Sequence, residues 1–173
     1  MSNIPGVRLD PFPVYRFYIT LIDSSSALSS VLSGISAIAN FALGGFSECS
    51  GLEMSMEIHE YKEGGVNDYV HQFATRANFS KITLKKGMGF SDDLWNWHYD
   101  YVQGKGNRRD GIIALMNEMG IPVKVWMFKR GIPSKWLGPT FNATQNGIAI
   151  ETIEISHEGV ELYAPHAAVS NLM

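Results

Sequence analysis

The alternation that begins at Leu52 constrains this chain more than any other feature. Leu52, Met54, Met56 and Ile58 occupy every second position, with Glu53, Ser55, Glu57 and His59 between them. A period of two puts these sets on opposite faces of a β-sheet, one buried and one polar. Glu63-Gly64-Gly65 follows where the strand must return, and the glycines supply the positive φ of a tight turn. The stretch 45 to 87 therefore describes a shape-giving β element, and it holds no catalytic set.

At 173 residues and 19.2 kDa the chain suits one well-buried domain spanning 1 to 173. A net charge of -3 argues against a general nucleic-acid binder, which carries a basic face. The run Lys81 to Lys86 is basic but sits in a strand pattern, so it reads as a solvated face. Cys49 stands alone beside Glu48, which excludes an intramolecular disulfide and disfavours a thiolate. No apolar signal region opens the sequence, so the chain is expected in the cytoplasm until something releases it.

Along the chain, residues 1 to 13 with Pro5, Pro11 and Pro13 read as an irregular arm, and 14 to 22 as a strand. Residues 24 to 44 shift to Ser, Ala and Gly and carry no charge. There Leu28, Val31, Leu32, Ile35 and Ile38 follow the spacing of one helical face. A spanning helix needs about 20 mostly apolar residues, and the serines and Asn40 interrupt this run, so no stable membrane insertion is expected. An apolar face that must be covered marks these five residues as candidate inter-subunit contacts.

A long strand is expected from 69 to 86. Phe73, Thr75, Ala77 and Phe79 share one parity and Ile82 and Leu84 the other, which implies a bulge. The same switch separates Ile148 and Ile150 from Ile153 and Ile155. Two strands that change face suit a sheet bent into a barrel or sandwich corner. The clearest helix spans 92 to 103, with Ser91 as cap, Gly104 as stop, and Leu94, Trp97, His98 and Tyr101 as its buried stripe. Residues 112 to 116 and 123 to 128 read as a hairpin through Asn117-Glu118-Met119-Gly120. Residues 131 to 146 read as a loop, and 163 to 173 as a tail.

Chemistry is absent from the pattern. Side chains 95 to 100 point all round a helix axis and cannot converge on one ligand. His157 and Glu158, as strand neighbours, face opposite ways. The five histidines lack metal-ligand spacing, and Gly104-Lys105-Gly106 lacks both the third glycine and the preceding strand of a dinucleotide site. No catalytic residue, cofactor or metal is expected. Arg108, Arg109 and Asp110 read as exposed charges, with inter-subunit pairing of Arg108 and Arg109 as the functional alternative.

Taken in order, several short stretches resemble the inner tube proteins of contractile tails, the phage tail tube family and its relatives in bacterial injection systems. They are Tyr15-Arg16-Phe17, the run 45 to 52, Tyr61-Lys62-Glu63-Gly64-Gly65, and Ile82-Thr83-Leu84-Lys85-Lys86-Gly87. Leu94-Trp95, Val123-Lys124-Val125-Trp126, Pro133-Ser134-Lys135-Trp136 and the run 153 to 158 follow. The resemblance runs from about residue 13 to 162. Two departures stand out: 24 to 44 reads as an insertion between the first strands, and Lys129-Arg130-Gly131 replaces a more neutral turn.

The resemblance implies a mainly β fold, a β-barrel-like sandwich of antiparallel strands with one flanking α-helix. It implies hexameric rings stacked into a tube, partnered by sheath, baseplate or initiator and cap proteins, with effector or DNA cargo in the channel. The particle would be a phage tail or an injection machine outside or attached to the cell. The polar set Glu53, Ser55, Glu57 and His59 could line such a channel, and no enzyme activity is expected. Deleting 24 to 44 is expected to spare the monomer and weaken ring stacking. The competing readings are a soluble β-sandwich ligand- or peptide-binding module, with the Trp95 and Trp136 region as its pocket, and an enzyme using His157 and Glu158.

Overall fold

The computed structural model describes residues 14, 16–23, 45–65, 68–144 and 146–163. The expected arm, the 24 to 44 segment with Leu28, Val31, Leu32, Ile35 and Ile38, and the tail beyond Tyr163 lie outside them. Nine strands and one helix follow in order: β1 Phe17–Asp23, β2 Phe46–Ser50, β3 Met54–Tyr61, β4 His71–Phe79, β5 Ile82–Gly87, α1 Asp93–Val102, β6 Arg109–Met116, β7 Pro122–Leu137, β8 Ile150–Ser156 and β9 Gly159–Tyr163.

The main sheet runs β1-β6-β7-β8-β5-β2, with β9 also on β7, and every pairing is antiparallel. β7 is its spine. Residues 122–131 of β7 pair β6, Ile132 to Leu137 pair β8, and Val125 to Lys129 pair β9. β8 and β9 thus behave as one strand broken at His157-Glu158, running beside β7 through both halves of a bent sheet. The halves face each other as a sandwich. The order ends at β1 and β2, so the described sheet is not closed into a barrel.

Apolar positions explain the bend. Ile19, Ile113 and Phe128 from one half meet Ile82, Leu84, Ile153 and Ile155 from the other, with Leu94 and Trp97 of α1 in the same core. Ile112, Ala114, Met116, Val125 and Met127 form a second cluster on the opposite face of β6 and β7. Both parities of β6 are therefore buried, as its near-continuous apolar run requires.

The corner itself is a β-bulge. Gly111 pairs Phe128 but Arg109 pairs Gly131, so one residue of β6 faces two of β7. Arg130 takes φ 54, and its N–H donates to the buried Asp110 carboxylate at 2.7 Å. The Phe128 ring lies over Gly111 and Gly131, where an added Cβ would come within 2.1 Å and 2.8 Å of it. Lys129-Arg130-Gly131 is therefore the device that turns the sheet, rather than a surface-charge variation. Asp110, expected exposed, is buried because it holds that turn.

Other expectations shift in instructive ways. The hairpin through 117 to 120 is present, with Asn117 Oδ1 accepting from Met119 and Ile121 N–H groups and Gly120 at φ 76. α1 starts at Asp93, stops before Gly104 at φ 74, and buries Leu94 and Trp97, while His98 is only half-buried. Its cap position is Asp92, which makes no side-chain cap bond; Ser91 Oγ accepts weakly from Asp93 N–H at 3.4 Å. The expected loop from 131 is instead strand as far as Leu137. Pro133 is tolerated because this half of β7 pairs only β8, with a register shift at Ser134. The strand expected from 69 to 86 is two strands, β4 and β5, separated by Ser80 and Lys81.

Candidate assembly surface

That separation creates the surface that matters. β2 pairs β5 and β3 pairs β4, so residues 46 to 87 form one long hairpin with a break in its middle. Its inner half joins the core sheet; its outer half projects as a separate two-stranded ribbon. The break is built on Gly51, whose φ of 87 lets the backbone approach Lys81, so that a Cβ there would stand 1.9 Å from the Lys81 carbonyl oxygen. Across it, Ser80 N–H donates to Glu53 O at 3.1 Å and Ser80 Oγ to Glu53 Oε2 at 3.1 Å.

His157 holds the same break from the core side. Its Nε2–H donates to the Ser80 carbonyl at 3.0 Å, and its ring lies 5.8 Å from both Phe79 and Phe128. Burial holds its pKa below the ordinary 6.5, against the opposing pull of the Ser80 and Gly159 backbone. The adjacent carboxylate in sequence, Glu158, is occupied by Arg130 at 3.0 Å and by Arg108, and the Arg130 hydrogen bond lowers its pKa. A neutral histidine favoured by the fold stabilises fully above pH 6.5, and that contribution falls as pH drops below it, since the unfolded chain binds more protons. His157→Gln keeps an N–H donor and removes the titration. The expected result is a smaller fall in melting temperature between pH 7.5 and 5.5 than in the parent; an equal fall would refute this role.

The projecting ribbon has two unlike faces. Register places Met54 opposite Phe79, Met56 opposite Ala77 and Ile58 opposite Ala74 on one face. The other carries Ser55 opposite Asn78, Glu57 opposite Arg76, His59 opposite Phe73 and Tyr61 opposite His71. The parity of β4 is broken by Thr75, the extra residue between Arg76 and Ala74, whose hydroxyl donates to Glu57 O at 3.0 Å. This bulge moves Phe73 onto the polar face, beside His71 at 6.2 Å, while His71 pairs Glu63 at 3.1 Å.

The expectation of one buried face is corrected here: every residue of β3 is exposed. Met54, Met56 and Ile58 are 69%, 54% and 47% exposed. The ribbon projects beyond the sandwich, so none of the described residues supplies a second layer over this face.

The remaining candidate residues are placed as follows. Ser55, Glu57 and His59 lie together on the polar face of β3, whereas Glu53 sits at the break, bonded to Ser80. Arg108 and Arg109 find partners within the chain: Arg108 with Glu158, Arg109 with Asp23 at 3.3 Å and over the Trp97 ring at 5.1 Å. Trp95 and Trp136 do meet, edge to face at 4.7 Å, and Trp136 Nε1–H donates to the buried Glu151 at 3.1 Å. Burial pushes the Cys49 thiol up to about 11, so it stays protonated at neutral pH. Among the described residues no cluster of three or more His, Cys, Asp or Glu could hold a metal ion, and no helix is long and apolar enough to cross a membrane.

Comparison with known proteins agrees with this geometry. Residues 14–161 match the family described as T4-like virus tail tube protein gp19. Among solved structures, the chain is similar to one in the sheath-tube complex of an extracellular contractile injection system, PVC, in its extended state (26% identity, TM-score 0.72, 89% of this chain and 92% of that one). It is also similar to one in the tube-terminating cap of the anti-feeding prophage (25%, TM-score 0.74, 94% and 96%). A chain in that prophage's baseplate shares the fold at 19% identity and TM-score 0.75, over 91% and 98%. None of the curated proteins matches. The chain belongs to the T4-like tail tube protein family. It is a structural tube protein of the kind found in contractile, phage-tail-like particles.

Proposed function

We propose that six copies form a ring, that rings stack into a hollow tube, and that the polar face of the β3–β4 ribbon lines the channel. The observation that carries this reading is a two-stranded ribbon exposed on both faces, apolar on one and polar on the other. In a ring of identical copies, water fills the channel on the polar side and a neighbouring copy covers the apolar side. Closed rotation removes open strand edges within each ring, and head-to-tail stacking continues the tube. Ser55, Glu57 and His59 would face the channel, with Glu53 at its margin.

The partners that fit are a contractile sheath around the tube, a baseplate that starts it and a cap that ends it; PVC and anti-feeding-prophage relatives occur in sheath-tube, baseplate and cap assemblies. Effector protein or DNA would travel through the channel. The chain makes and breaks no bond, and it assembles in the cytoplasm before acting in an extracellular or cell-attached particle. Segment 24 to 44 would contribute to stacking, and Arg108 and Arg109, already paired within the chain, would be secondary contacts. Negative-stain microscopy of concentrated purified protein tests the reading. Rings or hollow tubes are expected; a persistent monomer by light scattering would overturn it.

A further inference from the structure

Asn146 is the only asparagine of the sequence that precedes a glycine. Such a pair is chemically labile, because glycine brings no side chain to crowd its own backbone nitrogen. The fold decides whether the pair reacts, since a helix, a strand or a hydrogen-bonded turn holds the two reacting groups apart.

Here the fold does not restrain them. Asn146 and Gly147 lie between the end of β7 at Leu137 and the start of β8 at Ile150. Both are exposed, and neither belongs to a strand or helix. Among the described residues, neither the Asn146 side chain nor the Gly147 N–H has a hydrogen-bond partner. A Cβ added at Gly147 would meet nothing within 4 Å, so the backbone there has room to turn. Other asparagines are held. Asn142, in the same loop, has an Oδ1 that accepts from the Thr144 N–H at 3.0 Å and the Thr144 hydroxyl at 2.7 Å. Asn117 Oδ1 accepts from two N–H groups of its turn, Asn96 lies in α1 and Asn78 in β4.

We propose that Asn146 is a modification site at which the native chain deamidates itself. The Gly147 backbone nitrogen attacks the Asn146 side-chain carbonyl carbon and closes a five-membered succinimide. The Cγ–Nδ2 bond breaks, and ammonia leaves with the proton that Gly147 nitrogen gives up. Water then opens the ring. Addition at the side-chain carbonyl yields aspartate; addition at the main-chain carbonyl yields isoaspartate, with the backbone rerouted through the former side chain. One water is consumed and one ammonia released, with no oxidant or cofactor.

Each event adds one carboxylate and takes the net charge from -3 to -4. The fold tolerates the change. The Met88 N–H to Ala149 O bond, at 2.8 Å, and the β5–β8 ladder that starts at Gly87 and Ile150 both lie beyond the modified residue. The new charge falls on a loop that presents Phe141 and Ile148 at 86% and 83% exposure. Older copies of the chain thus differ from new ones in surface while sharing one fold.

Incubating the full purified chain in mildly alkaline buffer, with sampling over two weeks, tests this. Digestion at acidic pH followed by peptide mass spectrometry reads each asparagine, and isoaspartyl methyltransferase labelling reads isoaspartate. Aspartate and isoaspartate are expected to accumulate at 146, with an acidic shift on isoelectric focusing, while Asn142 stays intact. An exposed segment without hydrogen bonds opens at almost no free-energy cost, so the native chain should convert as fast as the guanidinium-unfolded chain. Gly147→Ala is expected to slow conversion by an order of magnitude without moving the melting temperature, because nothing surrounds the added methyl. Asn146 that stays intact, or reacts an order of magnitude more slowly in the native chain than in the unfolded one, would overturn the proposal. Equal conversion in Gly147→Ala would do the same.

Discussion

The double variant Met56→Asp with Ile58→Asp is expected to remain a folded monomer and to form no rings. In the isolated chain these side chains are 54% and 47% exposed, so the monomer loses little by changing them. Exposed substitutions usually stay within about 0.5 kcal/mol each, which for a chain this long moves the melting temperature by only a few degrees. Assembly is another matter. Full burial of a Met or Ile side chain is worth about 1.5–3 kcal/mol, and half of that surface is already lost inside the monomer, so about 1 kcal/mol per side chain is at stake. The introduced carboxylates weigh more. Burying an unpaired charge costs several kcal/mol per ion. Each copy-to-copy contact would therefore weaken by at least ~5 kcal/mol, a factor on the order of 10³ or more in association. Size-exclusion chromatography with light scattering, followed by microscopy, reads the outcome directly. Rings formed by the double variant at parent concentrations would show that this face is not buried on assembly.

Gly51→Ala is expected to cost more than a methyl added at the other described turn glycines, Gly65, Gly104 and Gly120. Gly51 has φ 87, and a Cβ would lie 1.9 Å from the Lys81 carbonyl oxygen, a backbone atom that cannot rotate aside. The left-handed conformation alone costs about 1–2 kcal/mol for an L side chain. Separating the strands at the break adds to it, for a total on the order of 3 kcal/mol and a fall of roughly 6–12 °C in melting temperature. Gly65→Ala is the internal comparison: its φ is 96, but nothing lies within 4 Å of the added Cβ. It should lose only the conformational part, about 1–2 kcal/mol. The difference isolates the close approach at the break. Equal melting temperatures for the two variants would mean that the approach of Gly51 to Lys81 does not hold the hairpin. Because the break also aims the projecting ribbon, Gly51→Ala is expected to impair ring formation even where the monomer stays folded.

Much of this fold is legible in local pattern. The helix over α1 declares itself through its buried Leu94 and Trp97 and its stop at Gly104, and the 117 to 120 turn through Asn117 and Gly120. What escapes local pattern is where strands continue and where they stop. Pro133 reads as a loop residue until one sees that its half of β7 has a single partner strand. Ser80 and Lys81 carry no turn signal of their own; the break there depends on Gly51, some thirty positions earlier in the chain, and on His157, far downstream. β9 is short, and its pairing with β7 follows only once β8 and β9 are seen to run in succession beside the long β7. Thr75 likewise shifts Phe73 to the polar face through a register change that a two-residue period cannot express.

The amino-acid order by itself determined the β character, the unlike faces of β3 and membership of a tube family, because side-chain alternation and glycine placement act over a few neighbouring residues. Tertiary structure alone decided that, among the described residues, nothing covers the apolar face of β3. Burial depends on which distant segments come together, and the bulge at Arg130 and the break at Gly51 set those meetings through backbone geometry and long-range hydrogen bonds.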